Sequence, residues 1–207
     1  AAFAYHGGEF TPRGDAMPKI VDHEQRRTAI VSTFLSLVEQ RGLDGATSRA
    51  LAAELGISNS LLWRYFSDMD ALIERAYREV VAHTNARVAQ SIDGRTGLAA
   101  AYALIDELFP VTTASKAEAR VVVEYWGAKA RNKNSYVEPH NCWRLKLVDF
   151  LTEASAAGEI PADAPVHTLA NAVMGIVGNA QIEYAMSGDD HVALAARDLA
   201  RSVVRLH

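Results

Sequence analysis

Cysteine is almost absent from this chain, since Cys142 is the only one among 207 residues. A single thiol excludes an intramolecular disulfide and fits a protein of the reducing cytoplasm. Net charge is also small, at a formal −4 at pH 7. This excludes a protein that coats nucleic acid by bulk positive charge, so any contact with nucleic acid must rest on a local patch.

The chain also lacks long apolar runs. Its most apolar stretch, residues 170–186, is interrupted by Asn171, Asn179, Gln181 and Glu183, so neither a membrane span nor a membrane partner is expected. Residues 1–16 show no periodicity and lack both the basic flank and the apolar run of a signal peptide. We interpret them as a leftover of cloning or a disordered tail, with Met17 as a candidate native start.

Motifs of catalysis and metal binding are missing as well. The seven histidines are scattered, without an H-E-x-x-H motif, an i,i+4 pair or a cysteine at ligand spacing. There is no G-x-S-x-G, G-x-G-x-x-G or phosphate-loop motif. We therefore expect no catalytic residue, no metal site and no cofactor.

What the sequence does contain is helical periodicity along almost its whole length, which predicts an all-α protein. The first helix is expected to start at an Asp22 cap and to end at Gly42, and Ser67 with Asp70 forms the pattern of a capping box before the fourth. About nine helices are predicted, at residues 24–40, 48–55, 59–66, 67–91, 96–108, 115–131, 136–157, 164–186 and 190–205.

The stretch "SRALAAELGISNSLLWRYFSDMDAL", residues 48–72, has the features of a helix-turn-helix. Ala52 is small enough for two helices to cross closely, and Gly56 can take the positive φ that ends the first of them. Ser58 can cap the second helix, while Leu51 and Leu62 belong to the apolar set that supplies the shared core. The alternative is an ordinary surface hairpin of two helices.

The outward face of the second helix is poorly suited to solvent and well suited to DNA, because in this motif the second helix enters the major groove. Asn59 and Ser60 can reach base edges, and Arg64 can pair with guanine or phosphate. The start of the preceding helix offers hydroxyl and N–H groups to phosphate. The predicted DNA-binding residues are Thr47, Ser48, Arg49, Asn59, Ser60, Trp63, Arg64 and Tyr65.

Residues 26–81 resemble the DNA-binding domain of the TetR family of bacterial transcriptional regulators. The pattern "T...A..LGVS...LY.HF..K..L" appears here as Thr47, Ala52, Leu55-Gly56-Ile57-Ser58, Leu62-Trp63, Tyr65-Phe66, Met69 and Leu72. Three residues depart from it. Trp63 replaces tyrosine and Tyr65 replaces histidine, and each keeps a hydrogen-bond donor. Met69 replaces a lysine that commonly meets a phosphate, so nearby Lys19, Arg26, Arg27 or Arg49 must supply that charge. Residues 17–70 hold six Lys or Arg against seven Asp or Glu, which predicts a modest salt dependence of DNA binding.

The resemblance implies two domains, a helix-turn-helix domain at residues 17–70 and a ligand-binding and dimerisation domain at residues 71–207. It also implies a homodimer, because a palindromic operator is bound by two copies of the helix-turn-helix domain, one from each subunit, which we call the heads. The eighth predicted helix carries small residues around Gly175 and Gly178, and the ninth carries an apolar stripe that includes Leu199. These two helices are expected to form a four-helix bundle with their two-fold copies, although both faces could instead pack within one monomer.

Aromatic residues, only 8% of the chain, are concentrated between these two regions, and Tyr136 and Asn141 lie within that segment. Apolar and aromatic groups with a few polar ones line most ligand pockets, although any single one could be plain core. The predicted ligand-binding residues are Tyr102, Phe109, Tyr125, Trp126, His140, Trp143, Asn171 and Met174. The segment "EYWGAKARNK...HNCWRLKLVDFL" is similar to the betaine-pathway branch of the family, which would suit an aromatic cage for a cation.

We therefore expect a cytoplasmic, ligand-responsive regulator that binds operator DNA as a homodimer and is released by an unknown small molecule. Repression is expected rather than activation. Two alternatives stay open: a small-molecule-binding protein with a vestigial DNA head, and an all-α enzyme that uses the aromatic cavity. The exposed Asn59, Ser60 and Arg64 argue against both, because neither needs them.

Overall fold

The structure, a computed structural model, describes residues 18–131 and 141–205. Within these ranges every regular element is a helix, which confirms the all-α prediction. The nine helices are α1 (Pro18–Gly45), α2 (Ser48–Glu54), α3 (Asn59–Leu62), α4 (Met69–Ser91), α5 (Gly97–Glu107), α6 (Thr113–Arg131), α7 (Asn141–Ala156), α8 (Val166–Ser187) and α9 (Asp190–Arg205).

Helix α1 buries the predicted apolar face but begins earlier than predicted. It starts at Pro18, where the missing proline N–H costs nothing because first-turn N–H groups have no helical partner. Asp22 therefore lies inside the helix, and the prediction that it caps α1 is wrong. Gly42 has the predicted positive φ, at +72°, and a short final turn follows it to Gly45.

The start of α4 also differs from its predicted capping box. Asp68, not Ser67, is the N-cap residue, and its Oδ1 accepts a hydrogen bond from the Ala71 N–H at 2.7 Å. The Ser67 hydroxyl donates to Asp68 Oδ2 at 3.1 Å. Asp and Ser are both strong N-cap residues, and the pattern alone did not place the boundary one residue later.

Helix α3 is shorter than predicted because its hydrogen bonds tighten after Leu62. The N–H groups of Arg64 and Tyr65 donate to the carbonyls three residues back, Leu61 and Leu62, at 3.1 and 3.0 Å. This i,i+3 pattern winds the chain more tightly than an α-helix. Trp63, Arg64 and Tyr65 consequently lie on a turn directly after α3.

Two apolar cores organise the molecule. The first joins α1, α2 and α3 to the first half of α4, and α6 contributes Val121, Val122 and Tyr125 to it. The second is formed by α5, α7, α8 and α9 with Val88 from the end of α4. Val81 on α4 packs against both cores. Helices α4 and α6 therefore connect the N-terminal unit directly to the remaining helices.

Candidate nucleic-acid interface and internal cavity

Helices α2 and α3 are joined by a tight turn built around Gly56. Gly56 has φ +65°, its N–H donates to the Ala53 carbonyl at 3.1 Å, and the Ile57 N–H donates to the Ala52 carbonyl at 3.0 Å. This pair of bonds defines a Schellman motif, which ends a helix and redirects the chain. The predicted role of Gly56 is confirmed.

Side chains cap both short helices. The Ser58 Oγ accepts from the Leu61 N–H at 3.2 Å at the start of α3, as predicted. Thr47 Oγ1 accepts from the Ala50 N–H at 3.2 Å at the start of α2, a cap that the sequence analysis did not assign. Two caps and one Schellman turn give α2 and α3 a defined mutual orientation, although both are short.

The predicted DNA-binding residues share one surface but differ in exposure. Thr47, Arg49, Asn59, Ser60 and Arg64 are exposed, whereas Ser48, Trp63 and Tyr65 are half-buried. Trp63 and Tyr65 pack against the first core, and the Tyr65 ring lies 4.9 Å from the ring of His23 on α1. The two aromatic residues are thus partly structural, and the His23 contact could not be found from sequence because it joins distant parts of the chain.

The neighbours of the Asn59 amide assign its orientation, and the assigned orientation gives three hydrogen bonds inside this surface. With its amide nitrogen facing Ser48, it donates to the Ser48 carbonyl at 3.3 Å and to the Ser48 Oγ at 3.1 Å. Its amide oxygen accepts from the Trp63 indole Nε1 at 3.3 Å. Asn59 therefore connects the start of α2 to the turn after α3.

The charge near the start of α4 is unfavourable to phosphate. Met69, where the family pattern has lysine, is half-buried and packs against the first core. The neighbouring Asp68 places a carboxylate at the positive end of the α4 dipole, which is where an anion is most favourable. This carboxylate occupies the position that a phosphate oxygen would otherwise favour.

A narrow cavity lies between α4, α6 and the second core, with about 30 Å³ of room for the centres of water molecules. Its lining extends along α4 from Tyr77 to Arg87, about 15 Å at 1.5 Å per residue. The polar and aromatic residues in its lining are Tyr77, Thr84, Arg87, Glu107, Ser115, Glu118, Trp143 and Gln181.

Arg87 holds the charged groups of this cavity together. Its guanidinium donates to both carboxylate oxygens of Glu118, at 2.9 and 2.7 Å, and to Glu107 at 3.3 Å. These bonds, led by that to Glu118, raise the pKa of Arg87 above its ordinary value. Two carboxylates against one guanidinium leave these three side chains with a net charge of −1.

Two buried polar atoms of the cavity lining have no hydrogen-bond partner among the described residues, the Tyr77 hydroxyl and Gln181 Oε1. Tyr77 stacks on Tyr125 of α6 with ring centroids 3.9 Å apart, and burial raises the pKa of the Tyr77 phenol. Gln181 donates its amide N–H to the Leu108 carbonyl at 2.9 Å. Unpaired buried polar atoms are costly, so a bound molecule that paired with them would be favoured.

The predicted ligand-binding residues are dispersed. Trp143 lines the cavity, where its indole donates to Asn85 at 2.8 Å, and Tyr125 lies behind Tyr77. Tyr102 lies at the α5–α9 contact under the guanidinium of Arg201, 4.6 Å from the ring centroid. The other predicted residues do not line this cavity, and their role stays a prediction. Phe109 and Met174 lie in the second core, Trp126 packs against the first core, and Asn171 is exposed on α8. His140 lies outside the described residues.

Helices α8 and α9 carry an exposed apolar face. Ile182 and Met186 on α8 are 42% and 82% exposed, and Leu194 and Leu199 on α9 are 37% and 54% exposed. Gly175, on α8, has open space where a side chain would be. Four of the five large exposed apolar side chains of the described residues lie on these two helices.

Two kinds of feature are absent from the described residues, a cluster of metal ligands and a membrane-spanning helix. No cluster of three or more His, Cys, Asp or Glu side chains within 18–131 and 141–205 is arranged to hold a metal ion. None of the helices in those ranges combines the length and apolarity needed to cross a bilayer.

Comparison with known proteins finds a family model that matches the N-terminal unit and relatives that are similar over longer stretches. Residues 30–76 match the model for "Bacterial regulatory proteins, tetR family". The HTH-type transcriptional regulator BetI of Paraburkholderia phymatum is 25% identical over 199 residues, which cover 92% of this chain and 96% of that protein. BetI of Burkholderia cenocepacia HI2424 is 35% identical over 92 residues, 42% of this chain and 47% of that protein. This second match thus spans about half of the length of the relative.

Solved structures share the fold. A transcriptional regulator of Saccharomonospora viridis, crystallised in complex with choline, has a TM-score of 0.71 at 18% identity and covers 85% of this chain and 95% of its own. A regulator of Rhodococcus sp. RHA1 has a TM-score of 0.63 at 20% identity, and the match covers 86% of this chain and 95% of that regulator.

The helix-turn-helix and the helices that carry it define a DNA-binding transcriptional regulator. The family match at residues 30–76 and the long similarity to BetI confirm the predicted resemblance to the TetR family and favour a regulator over the enzyme hypothesis.

Proposed function

We propose that this protein is a homodimeric repressor that binds a palindromic operator in the bacterial cytoplasm and leaves it when a small molecule enters the cavity along α4. One observation carries the proposal. Helices α4 and α6 line the cavity and also pack in the first core, against the helices that present Ser60 and Arg64. A change in the cavity therefore reaches the DNA-binding surface through packed side chains.

The DNA contacts follow from exposure. Arg64 and Ser60 extend from the α3 segment into solvent and would reach base edges or phosphate in the major groove. Thr47 and Arg49 at the start of α2 would contact phosphates. Because residues 17–70 carry slightly more acidic than basic side chains, affinity would depend on placement more than on total charge.

The dimer would form through α8 and α9. The small Gly175 permits close approach of a second helix, and Ile182, Met186, Leu194 and Leu199 offer exposed apolar area that a two-fold copy would bury. A two-fold arrangement of four helices presents the same patch from both subunits. The two heads would then face half-sites about one helical turn apart or slightly more.

Release would follow from the size of the cavity. About 30 Å³ of room for water centres holds about two water molecules, which is less than any organic effector needs. An effector can therefore bind only when α4 and α6 move apart, and a ligand that binds this opened state shifts the population toward it. The opened state would hold the heads at a spacing that no longer matches the operator.

A small organic cation is the first effector to test, and choline is the specific candidate. The Arg87, Glu107 and Glu118 side chains carry a net charge of −1, and the aromatic side chains of Tyr77 and Trp143 line the same cavity. Cations are attracted both to carboxylates and to aromatic faces. The choline complex of the S. viridis regulator, a protein of the same fold, gives additional support.

Fluorescence anisotropy on DNA upstream of the protein's own gene tests the proposal, with a scrambled duplex as control and with choline titrated into the complex. Specific binding should exceed the scrambled control by about a thousandfold or more, and an effector should reverse it. An effector that binds the protein without changing DNA affinity would contradict the release mechanism.

A second candidate is a small-molecule-binding protein with a vestigial head. Met69 and the Asp68 carboxylate at the start of α4 favour it, because both remove positive charge from the interface. Binding no tighter than to scrambled DNA, both upstream of the gene and after selection from random sequences, would favour this candidate.

A further inference from the structure

We propose that Asn59 is a positioning residue, which holds the Trp63 indole and the start of α2 in the DNA-binding conformation before DNA arrives, and not a reader of bases. The inference rests on the DNA-binding function of the helix-turn-helix. It reassigns a side chain that its place on the first turn of α3 predicts to contact base edges.

The orientation of the Asn59 amide is fixed by its neighbours. On one side lie two acceptors, the Ser48 carbonyl at 3.3 Å and the Ser48 Oγ at 3.1 Å, and on the other lies the Trp63 indole N–H donor at 3.3 Å. In the opposite orientation, the amide oxygen of Asn59 would face the Ser48 carbonyl, and its N–H groups would face the Trp63 indole N–H. Only the nitrogen toward Ser48 and the oxygen toward Trp63 satisfies all of these groups.

These bonds engage the groups that base reading needs. A bidentate contact with adenine requires one amide N–H and the amide oxygen of the same side chain. In Asn59 both ends of the amide already have partners, and the Trp63 indole has used its only N–H. The two amide hydrogens of Asn59 already have acceptors on Ser48, so a bidentate contact with a base edge would require at least one of these bonds to break.

A brace at this position is needed because the local helices are short. Helix α2 has 7 residues and α3 has 4, and isolated helices of this length are not stable in water. Asn59 links Ser48 at the first position of α2 to Trp63 directly after α3, and Trp63 is itself anchored on the first core. Ser60 and Arg64 are next to Asn59 and Trp63 in sequence. The hydrogen bonds of Asn59, which we call the brace, therefore orient these two side chains and lower the entropic cost of ordering them on DNA.

The first measurement is made without DNA, on the indole N–H signals of the 207-residue chain with ¹⁵N-labelled tryptophan. The chain has three tryptophans, and Trp63→Phe identifies the signal of Trp63. We expect Asn59→Ala to speed solvent exchange of this indole proton by about tenfold or more, the effect of losing one hydrogen bond. Asn59→Asp keeps an acceptor for the indole but turns an oxygen toward the Ser48 carbonyl, so its protection of the indole should lie between those of wild type and Asn59→Ala. Ser60→Ala, which removes an exposed hydroxyl one residue away, is the matched control and should leave the signal unchanged.

The second measurement is operator affinity across a set of single base-pair variants. We expect Asn59→Ala to weaken binding about tenfold and to do so equally for all operator variants. The double variant with Trp63→Phe should be no weaker than the weaker single variant, because both remove the same bond. Melting temperatures within a few degrees of wild type would show that the loss is one of positioning.

Two results would overturn the assignment. One is loss of discrimination at a single base pair in Asn59→Ala together with unchanged exchange of the Trp63 indole. The other is full additivity of the two substitutions. If the wild-type protein bound no operator at all, the proposed function would fail, while the exchange measurement would still decide whether the brace exists.

Discussion

Single residues decide the strength of the DNA contact, because the head has no excess positive charge. Met69 is the clearest case, since it stands half-buried beside the Asp68 cap, where the family pattern has lysine. Lysine can bury its aliphatic stem and extend its ammonium to the surface. Position 69 can therefore gain a charge without losing its packing.

We predict that Met69→Lys strengthens operator binding and makes it more dependent on salt. One added phosphate contact should steepen the slope of log affinity against log salt by about 0.9. Anisotropy titrations at several salt concentrations measure this slope. Met69→Leu, which keeps the apolar contact and adds no charge, should leave it unchanged, and an equal slope for Lys and Leu would show that no phosphate lies near position 69.

Arg64 is expected to carry a large share of specific binding, because it is exposed on the turn after α3. Arg64→Ala should weaken operator binding by about tenfold to a hundredfold, the effect of losing one base or phosphate contact. The matched control is Arg95→Ala, which removes an exposed arginine from the connection between α4 and α5. Equal affinities of these two variants would place the DNA contact elsewhere.

Sequence predicts residue roles well where the role is local. Gly56 and Ser58 were identified because a helix end and a helix cap depend on neighbouring residues alone. The hydrogen bonds of Asn59 to Ser48, and the contact of Tyr65 with His23, depend on how α1, α2 and α3 pack. The bond of Asn59 to Trp63 spans only four residues, but it needs the amide orientation that Ser48 sets, so the sequence marked both residues as exposed contacts.

At the scale of elements, ion pairs connect α4 to its neighbours along its length. Arg75 bonds Glu24 of α1 at 2.8 Å, Glu74 bonds Lys129 of α6 at 2.9 Å, and Arg87 bonds α5 and α6. The bond from Lys129, with a further one from Arg78, lowers the pKa of Glu74 below its ordinary 4.5. Lys129 thus connects α6 to α4 close to the helix-turn-helix.

The lowered pKa of Glu74 predicts how this connection responds to acid. A carboxyl group with a depressed folded-state pKa contributes stability that is present above its unfolded pKa of 4.5 and is lost as the pH falls through its folded value. Glu74→Gln should therefore lower the free energy of unfolding at pH 7, by at most about 1 kcal/mol because the pair is partly exposed, and the difference should shrink as the pH falls below 4.5.

Urea unfolding at a series of pH values measures this difference. Glu39→Gln removes an exposed acid on α1 that has no ion pair among the described residues, and it provides the baseline for losing one negative charge. A Glu74→Gln effect that stayed constant from pH 7 to pH 3 would mean that the pair with Lys129 does not contribute.

Helix boundaries were predicted less accurately than the helices themselves. The apolar period located every helix, because each must bury one face. The early start of α1, the short α3 and the late cap of α4 depend on choices between equivalent signals, such as Ser67 and Asp68 as caps. Among the described residues of the predicted ligand site, Trp143 lines this cavity and the others lie elsewhere, because an aromatic concentration in sequence does not say which side chains face one space.

For the whole molecule, the proposed homodimer depends on the exposed apolar face of α8 and α9. We predict that Met186→Glu shifts the protein from dimer to monomer, because a carboxylate would be buried without a partner in the apolar interface. Light scattering after size-exclusion chromatography measures the mass. The control is Leu145→Glu on α7, which is 48% exposed and lies outside this face, and an identical mass for both variants would move the interface elsewhere.

The sharing of α4 and α6 between the cavity and the first core also has an evolutionary consequence. Most substitutions that would fit the cavity to a new molecule fall on the two helices that hold the DNA-binding unit in place. Under the proposed function, a lineage that acquires a different effector must adjust its operator geometry at the same time, or place its changes on the parts of the lining that α5, α7 and α8 contribute. We expect diversity of effectors among relatives to be concentrated on those three helices.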